Sequence, residues 1–135
     1  MIENFNGIIY FTIFIVHFLA YAVYAFRTVV GTKSFLDKYG MDHTGAIMTR
    51  FFGALFIGST LMAIEILLVG TEGTWPFFVL VFLQNFSAFF IGIYAIKISK
   101  LGVNEKTSVE GIIAPGILTI LSAALIYGLS DKIYS

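Results

Sequence analysis

The sequence contains no cysteine and only two histidines among its 135 residues. Without cysteine the chain can form no disulfide bond, no thiolate metal site and no cysteine nucleophile. Two histidines are too few for most metal sites made of protein ligands alone. The sequence also has no glycine-rich phosphate loop and no nucleophile with a base at a suitable spacing. We therefore expect no metal site and no catalytic residue, and the sequence requires no cofactor.

Charge is also scarce, because only 12% of the residues are Asp, Glu, Lys or Arg and the formal net charge is zero. Soluble domains usually carry about 25% charged residues. A chain without excess positive charge lacks the electrostatic footprint of a nucleic-acid-binding protein. Hydrophobic residues make up 59% of the chain. This composition predicts an integral membrane protein, with residues 1–135 as one transmembrane domain.

Four apolar stretches are long enough to cross a bilayer as helices. A helix of about 20 residues matches a hydrocarbon core of about 30 Å. Short connections favour antiparallel neighbours. The sequence therefore predicts an all-α, up-down-up-down four-helix bundle. The four predicted spans cover approximately residues 7–26, 46–69, 75–96 and 108–129.

The connection between the first two spans contains a short amphipathic segment. Phe35, Leu36 and Tyr39 fall on one side of it, Thr32 can cap its start, and Gly40 can end it. This pattern favours a short helix at the membrane interface. A polar loop is the alternative.

Basic residues predict the orientation of the chain. Positive residues are enriched in cytoplasmic connections. We therefore expect connections 1–2 and 3–4 in the cytoplasm and both termini outside, in a membrane of the bacterial inner-membrane type. Lys132 is the only basic residue on the opposite side. The cytoplasmic basic residues would be Arg27, Lys33, Lys38, Lys97, Lys100 and Lys106.

The second span has two charged residues on one face. On a helical wheel Arg50, Ala54, Gly58, Leu61 and Glu65 lie close together. A charge in lipid is costly, and small residues let helices approach closely. We expect this face to point into the bundle. The opposite side, expected to face lipid, comprises Phe52, Leu55, Phe56, Ala63 and Ile66.

Depth suggests partners for these charges. Arg50 and Glu110 are at the same predicted end of the bundle, so we expect an ion pair between the second and fourth spans. Glu65 has no basic residue at its depth. It would bond Tyr10, Thr74 or water, or remain protonated. An intramembrane carboxyl is a candidate functional group, and a hydrated structural contact is the alternative.

Polar side chains in the first and third spans suggest a ligand pocket between them. Tyr10, His17 and Tyr21 share one stripe of the first span, and Gln84 and Asn85 lie near the middle of the third. Such residues can bind a cofactor or relay protons. They can also form ordinary hydrogen bonds between helices.

The segment covering residues 35–63 resembles the small four-helix membrane proteins grouped as DoxX-like. The resemblance rests on an arginine in the first turns of the second span, followed by small residues: Arg50, Gly53, Ala54 and Gly58. It implies a four-helix bundle and no single activity. Some members of that group are accessory subunits of redox complexes. No catalytic residue follows from the resemblance.

The sequence is therefore consistent with three functions. The first is a non-catalytic accessory subunit of a larger membrane complex, contacting lipids and protein partners through phenylalanine-rich faces. The second is a binding protein or small enzyme for a lipophilic ligand such as a quinone, isoprenoid, haem or pigment. The third is a proton-linked carrier using Glu65. The main phenylalanine strip comprises Phe82, Phe86, Phe89 and Phe90.

Overall fold

The computed structural model describes residues 1–135 and contains helices but no strands. Four of the helices are long and apolar enough to cross a membrane, which confirms the all-helical prediction and indicates an integral membrane protein. In chain order the helices are α1 (Ile8–Val29), α2 (Thr32–Lys38), α3 (Ala46–Val69), α4 (Trp75–Ile93), α5 (Glu110–Gly128) and α6 (Ser130–Ile133). The membrane-length helices are α1, α3, α4 and α5.

Local chemistry determines where the long helices begin and end. The Asp42 side chain accepts a hydrogen bond of 2.8 Å from the Thr44 amide, which starts the 3-10 turn leading into α3. Gly70 ends α3 with φ of 120°, a conformation that favours glycine. Pro76 sits in the first turn of α4, where its missing N–H has no consequence. Beyond its last α-helical turn, α4 continues as a π-helical segment, Tyr94–Ser99.

Helix α1 is the centre of the arrangement. It packs against α3 and α5, and α4 packs against α5, whereas α3 and α4 make few close backbone approaches. Gly53 allows α3 to lie close to α1, because a Cβ there would collide with Thr28 and Val29. The largest fully buried side chains of the core are Phe5, Phe14, Phe78, Ile66, Leu125, Leu129 and Ile133.

Contacts join the start of α1 to the ends of the other helices. The Thr71 hydroxyl donates to the Asn4 carbonyl at 2.7 Å, and the Asn6 amide donates to the Gly128 carbonyl at 2.9 Å. Trp75 stacks on Tyr134 with ring centroids 5.8 Å apart. The N-terminal turn thus joins the ends of α3 and α5, and the Trp75–Tyr134 stack joins the start of α4 to the segment after α6.

The predicted inward face of the second span is wrong. Arg50, Gly58 and Glu65 are exposed, and Leu61 is 61% exposed. Both charges lie four residues from an end of α3, about 6 Å along the axis, so long side chains can reach the interface without entering the bundle. Steric fit rather than charge then decides which side of α3 packs on α1, because the two helices approach closely at Gly53. The buried residues of α3 are Thr49, Gly53, Ala63 and Ile66.

Candidate functional site

A lateral cleft of about 400 Å³ lies between α3 and α4, where these two helices diverge. Its outer walls are apolar and largely exposed, so the cleft opens on the side of the helices that would face lipid. Tyr21 from α1 and Asn85 from α4 contribute to its lining. The apolar wall residues are Phe52, Leu55 and Phe56 from α3 and Leu83, Ala88 and Ile91 from α4.

A buried hydrogen-bond network joins the cleft to the core. The Tyr21 hydroxyl donates to Asn85 Oδ1 at 3.1 Å, and Asn85 Nδ2 lies 3.3 Å from His17 Nε2. Since Oδ1 accepts from the tyrosine, the amide nitrogen donates to His17, and the imidazole hydrogen is at Nδ1. This Nδ1 is buried, and the backbone of Leu118 is its neighbour without forming a hydrogen bond of ordinary geometry. The network fixes α4 against α1 and holds Tyr21 and Asn85 rigidly at the cleft.

Three further polar side chains of the cleft are not used by the protein. Gln84, Ser59 and Ser87 line it and form no hydrogen bond with other residues. Elsewhere a helical hydroxyl commonly bonds the carbonyl four residues earlier, as Thr60 does with Phe56 at 2.7 Å. Thr12, Thr28, Thr119 and Ser122 do the same. The cleft therefore offers free donors and acceptors within an apolar surface.

Three of the five predicted ligand residues line the cleft, and two do not. Tyr21, Gln84 and Asn85 line the cleft, while His17 lies behind Asn85 and is completely buried. Tyr10 lies elsewhere, because its ring is packed against Gly128 near the end of α5.

The cleft itself also differs in position from the predicted pocket. It lies between the second and third spans rather than between the first and third. Ser59 and Ser87 were missed as lining residues. The spacing of Ser87 three residues after Gln84 places both on one helix face, and that signal was available in the sequence.

A second polar cluster surrounds Glu110 at the other end of α1. Arg27 Nη1 donates to Glu110 Oε1 at 3.1 Å, and Lys38 Nζ donates to Oε2 at 3.3 Å. The hydroxyls of Tyr24 and Tyr39 also donate to this carboxylate. Burial and the neighbouring Glu110 carboxylate raise the pKa of Tyr39 above its ordinary value. The cluster ties α1, α2 and α5 together.

The predicted Arg50–Glu110 ion pair does not form. Arg50 Nε instead donates to Thr32 Oγ1 at 3.2 Å. Helix α1 packs against both α3 and α5, so a cation from α1 reaches Glu110 where one from α3 does not. Arg27 takes the predicted role, with a side chain 26% exposed.

Two further carboxylates, Asp37 and Glu65, lie outside this cluster. Asp37 bonds Lys33 at 2.9 Å and His43 Nε2 at 2.7 Å, and these hydrogen bonds lower the pKa of Asp37 to about 2. Glu65 is exposed and bonds neither Tyr10 nor Thr74, and Thr74 donates to the Thr71 carbonyl instead.

No group of His, Asp and Glu side chains forms a metal site. Comparisons with protein-family models, curated proteins and solved structures find no match for this chain.

Proposed function

We propose that this protein binds a lipophilic molecule in the cleft between α3 and α4, with the polar part of that molecule against Gln84, Ser59 and Ser87. The observation that carries the proposal is the combination of an apolar cleft with free polar groups in its lining. Small-molecule sites typically enclose about 300–1,000 Å³ and combine apolar walls with a few placed polar groups. The cleft volume of about 400 Å³ falls within that range.

The rigid network behind the cleft supports a binding site more than a packing gap. Tyr21 and Asn85 are almost fully buried and hydrogen-bonded, so their positions exist before any ligand arrives. Preorganised groups reduce the entropy lost on binding. A ligand could enter sideways from the bilayer, since the exposed walls include Phe52 and Ile91.

We further propose that the four spans alternate in direction, with α2 at the cytoplasmic interface and both termini outside. The contacts of Asn4 with Thr71 and of Asn6 with Gly128 support alternation. Seven of the eight basic residues lie at the opposite end or in its connections, which supports the orientation. Since the chain lacks cysteine, Glu72→Cys and Glu105→Cys can each carry one label. A membrane-impermeant maleimide added to intact cells should label the first variant and not the second, and the reverse would invert the topology.

An accessory role in a larger membrane complex is the second proposal. On α4, Phe82 stacks on Phe86 and Phe86 meets Phe90 edge to face, so the three rings form a strip, and Phe90 is 54% exposed. Such a strip suits packing against another span or against lipid chains. Purification in a mild detergent tests this role, because co-migration with a large complex is expected only if the protein is a subunit. Proton transport through Glu65 and membership of the DoxX-like group stay predictions.

Lipid retention tests the binding proposal directly. Wild-type protein purified in a mild detergent should carry a co-purifying lipophile detectable by native mass spectrometry. Ala88→Phe, which places a ring in the cleft, should remove it. Thr12→Val is the matched control, because Thr12 is exposed on α1 away from the cleft. Equal retention by wild type and Ala88→Phe would contradict the proposal.

A further inference from the structure

We infer that the molecule bound in the cleft has an uncharged head that both donates and accepts hydrogen bonds, as a long-chain alcohol does, and that this head lies near the middle of the membrane. This inference rests on the proposed function and specifies its ligand class. It excludes lipids whose head is a phosphate or carboxylate, and it excludes haem, whose propionates are anionic.

The absence of charge around the cleft indicates that the head of the ligand is uncharged. None of the eleven lining residues is Asp, Glu, Lys, Arg or His. An anion moved from water into apolar surroundings requires a countercharge or extensive hydrogen bonding. The only cationic residue of α3 is Arg50, which lies in the first turns of the helix. Arg50 is nine residues before Ser59, about 13 Å along the axis, so it cannot neutralise a head bound there.

The depth of the polar groups indicates that the head of the ligand lies near the middle of the membrane. Ser59 lies near the middle of α3, and Gln84 and Ser87 lie near the middle of the continuous helical segment from Trp75 to Ser99. Ser59 is thus about 15 Å from the nearer end of its helix. A phospholipid with its head at the interface would place only acyl chain at this depth. The Gln84 amide, which no protein group bonds, would then stay unsatisfied, at about 1–3 kcal/mol.

The hydrogen-bonding capacity of the cleft indicates that the head of the ligand both donates and accepts hydrogen bonds. Gln84 has both an N–H donor pair and a carbonyl acceptor, and each serine hydroxyl can donate or accept. The Tyr21 hydroxyl already donates to Asn85, so towards a ligand it can only accept. A head with one O–H group satisfies both kinds, because it donates to Tyr21 or Gln84 and accepts from Gln84 or a serine. A pure hydrocarbon satisfies neither.

His17 does not alter this conclusion. Its Nε2 accepts from Asn85, and its ring lies behind that residue rather than in the cleft lining. An iron bound in the cleft would therefore find no imidazole ligand there. The residue instead holds Asn85 in the orientation that leaves Tyr21 as an acceptor.

A matched series of probes tests the head group. Wild-type protein in nanodiscs of phosphatidylcholine is titrated with farnesol, farnesyl monophosphate and the corresponding saturated hydrocarbon, farnesane, and binding is measured by native mass spectrometry. Farnesol should bind at least tenfold more tightly than either of the others. The triple variant Ser59→Ala/Gln84→Leu/Ser87→Ala, which removes the free donors of the cleft, should lose most of this preference while farnesane binding stays unchanged. Ala88→Phe should bind none of the three.

The outcomes separate the two proposals. If the phosphate binds as tightly as the alcohol and Ala88→Phe abolishes both, the cleft is a binding site and the uncharged-head inference is wrong. If farnesane binds as tightly as farnesol, recognition by the polar groups is wrong as well. If wild type binds no probe above the level of Ala88→Phe, both the proposed function and this inference fail.

Discussion

Replacing Asn85 with leucine should destabilise the protein by breaking the network between α1 and α4. Asn85 makes two buried hydrogen bonds, one with Tyr21 at 3.1 Å and one with His17 at 3.3 Å. Leucine is similar in size, so the change removes polarity with little change in volume. Hydrogen bonds between membrane helices contribute about 0.6–1.7 kcal/mol each, which gives a loss of about 2 kcal/mol. Leaving the tyrosine hydroxyl and the imidazole unpaired, at about 1–3 kcal/mol each, sets an upper bound of about 6 kcal/mol.

Steric trapping in bicelles measures the free energy of unfolding for wild type, Asn85→Leu, Tyr21→Phe and the double variant. The double-mutant cycle should show a coupling of about 1 kcal/mol between Tyr21 and Asn85. Gln84→Leu is the neighbouring control, because Gln84 lines the cleft and bonds no protein group. It should leave stability within about 0.5 kcal/mol of wild type. The reasoning is refuted if Asn85→Leu is as stable as Gln84→Leu or if the coupling is zero.

Three other changes test separate parts of the structure. Gly53→Val should destabilise the α1–α3 contact by about 1–3 kcal/mol through overpacking, as measured by steric trapping, whereas Gly58→Val should not, since a Cβ there meets nothing. Glu110→Gln should lower the thermal midpoint, because it removes the carboxylate that holds two cations and two tyrosines, and an unchanged midpoint would contradict that role. The carboxyl of Asp37 should titrate near pH 2 by ¹³C NMR, and His43→Gln should move its pKa upwards. Because the folded pKa is depressed, the contribution of Asp37 to stability is present above its ordinary pKa and disappears as the pH falls through about 2.

The sequence was sufficient to predict the four membrane-length helices. Bilayer thickness sets the length of an apolar helix, and this information is local to each stretch of chain. The same local reasoning identified Gln84 and Asn85 as polar groups at middle depth and Tyr21 as a candidate pocket residue, and all three line the cleft.

Tertiary packing decided what each helix faces. Arg50 and Glu65 suggested an inward face for α3, but both are close enough to a helix end to remain outside, and Gly53 directs the other side towards α1. Glu110 pairs with Arg27 because α1 packs directly on α5, a relation between distant segments. The cleft exists because α3 and α4 each pack more closely on another helix than on each other, although they are adjacent in sequence. Hydrophobic patterning specifies that a helix spans the membrane, whereas its neighbours depend on the fit of side-chain surfaces, which only the assembled structure defines.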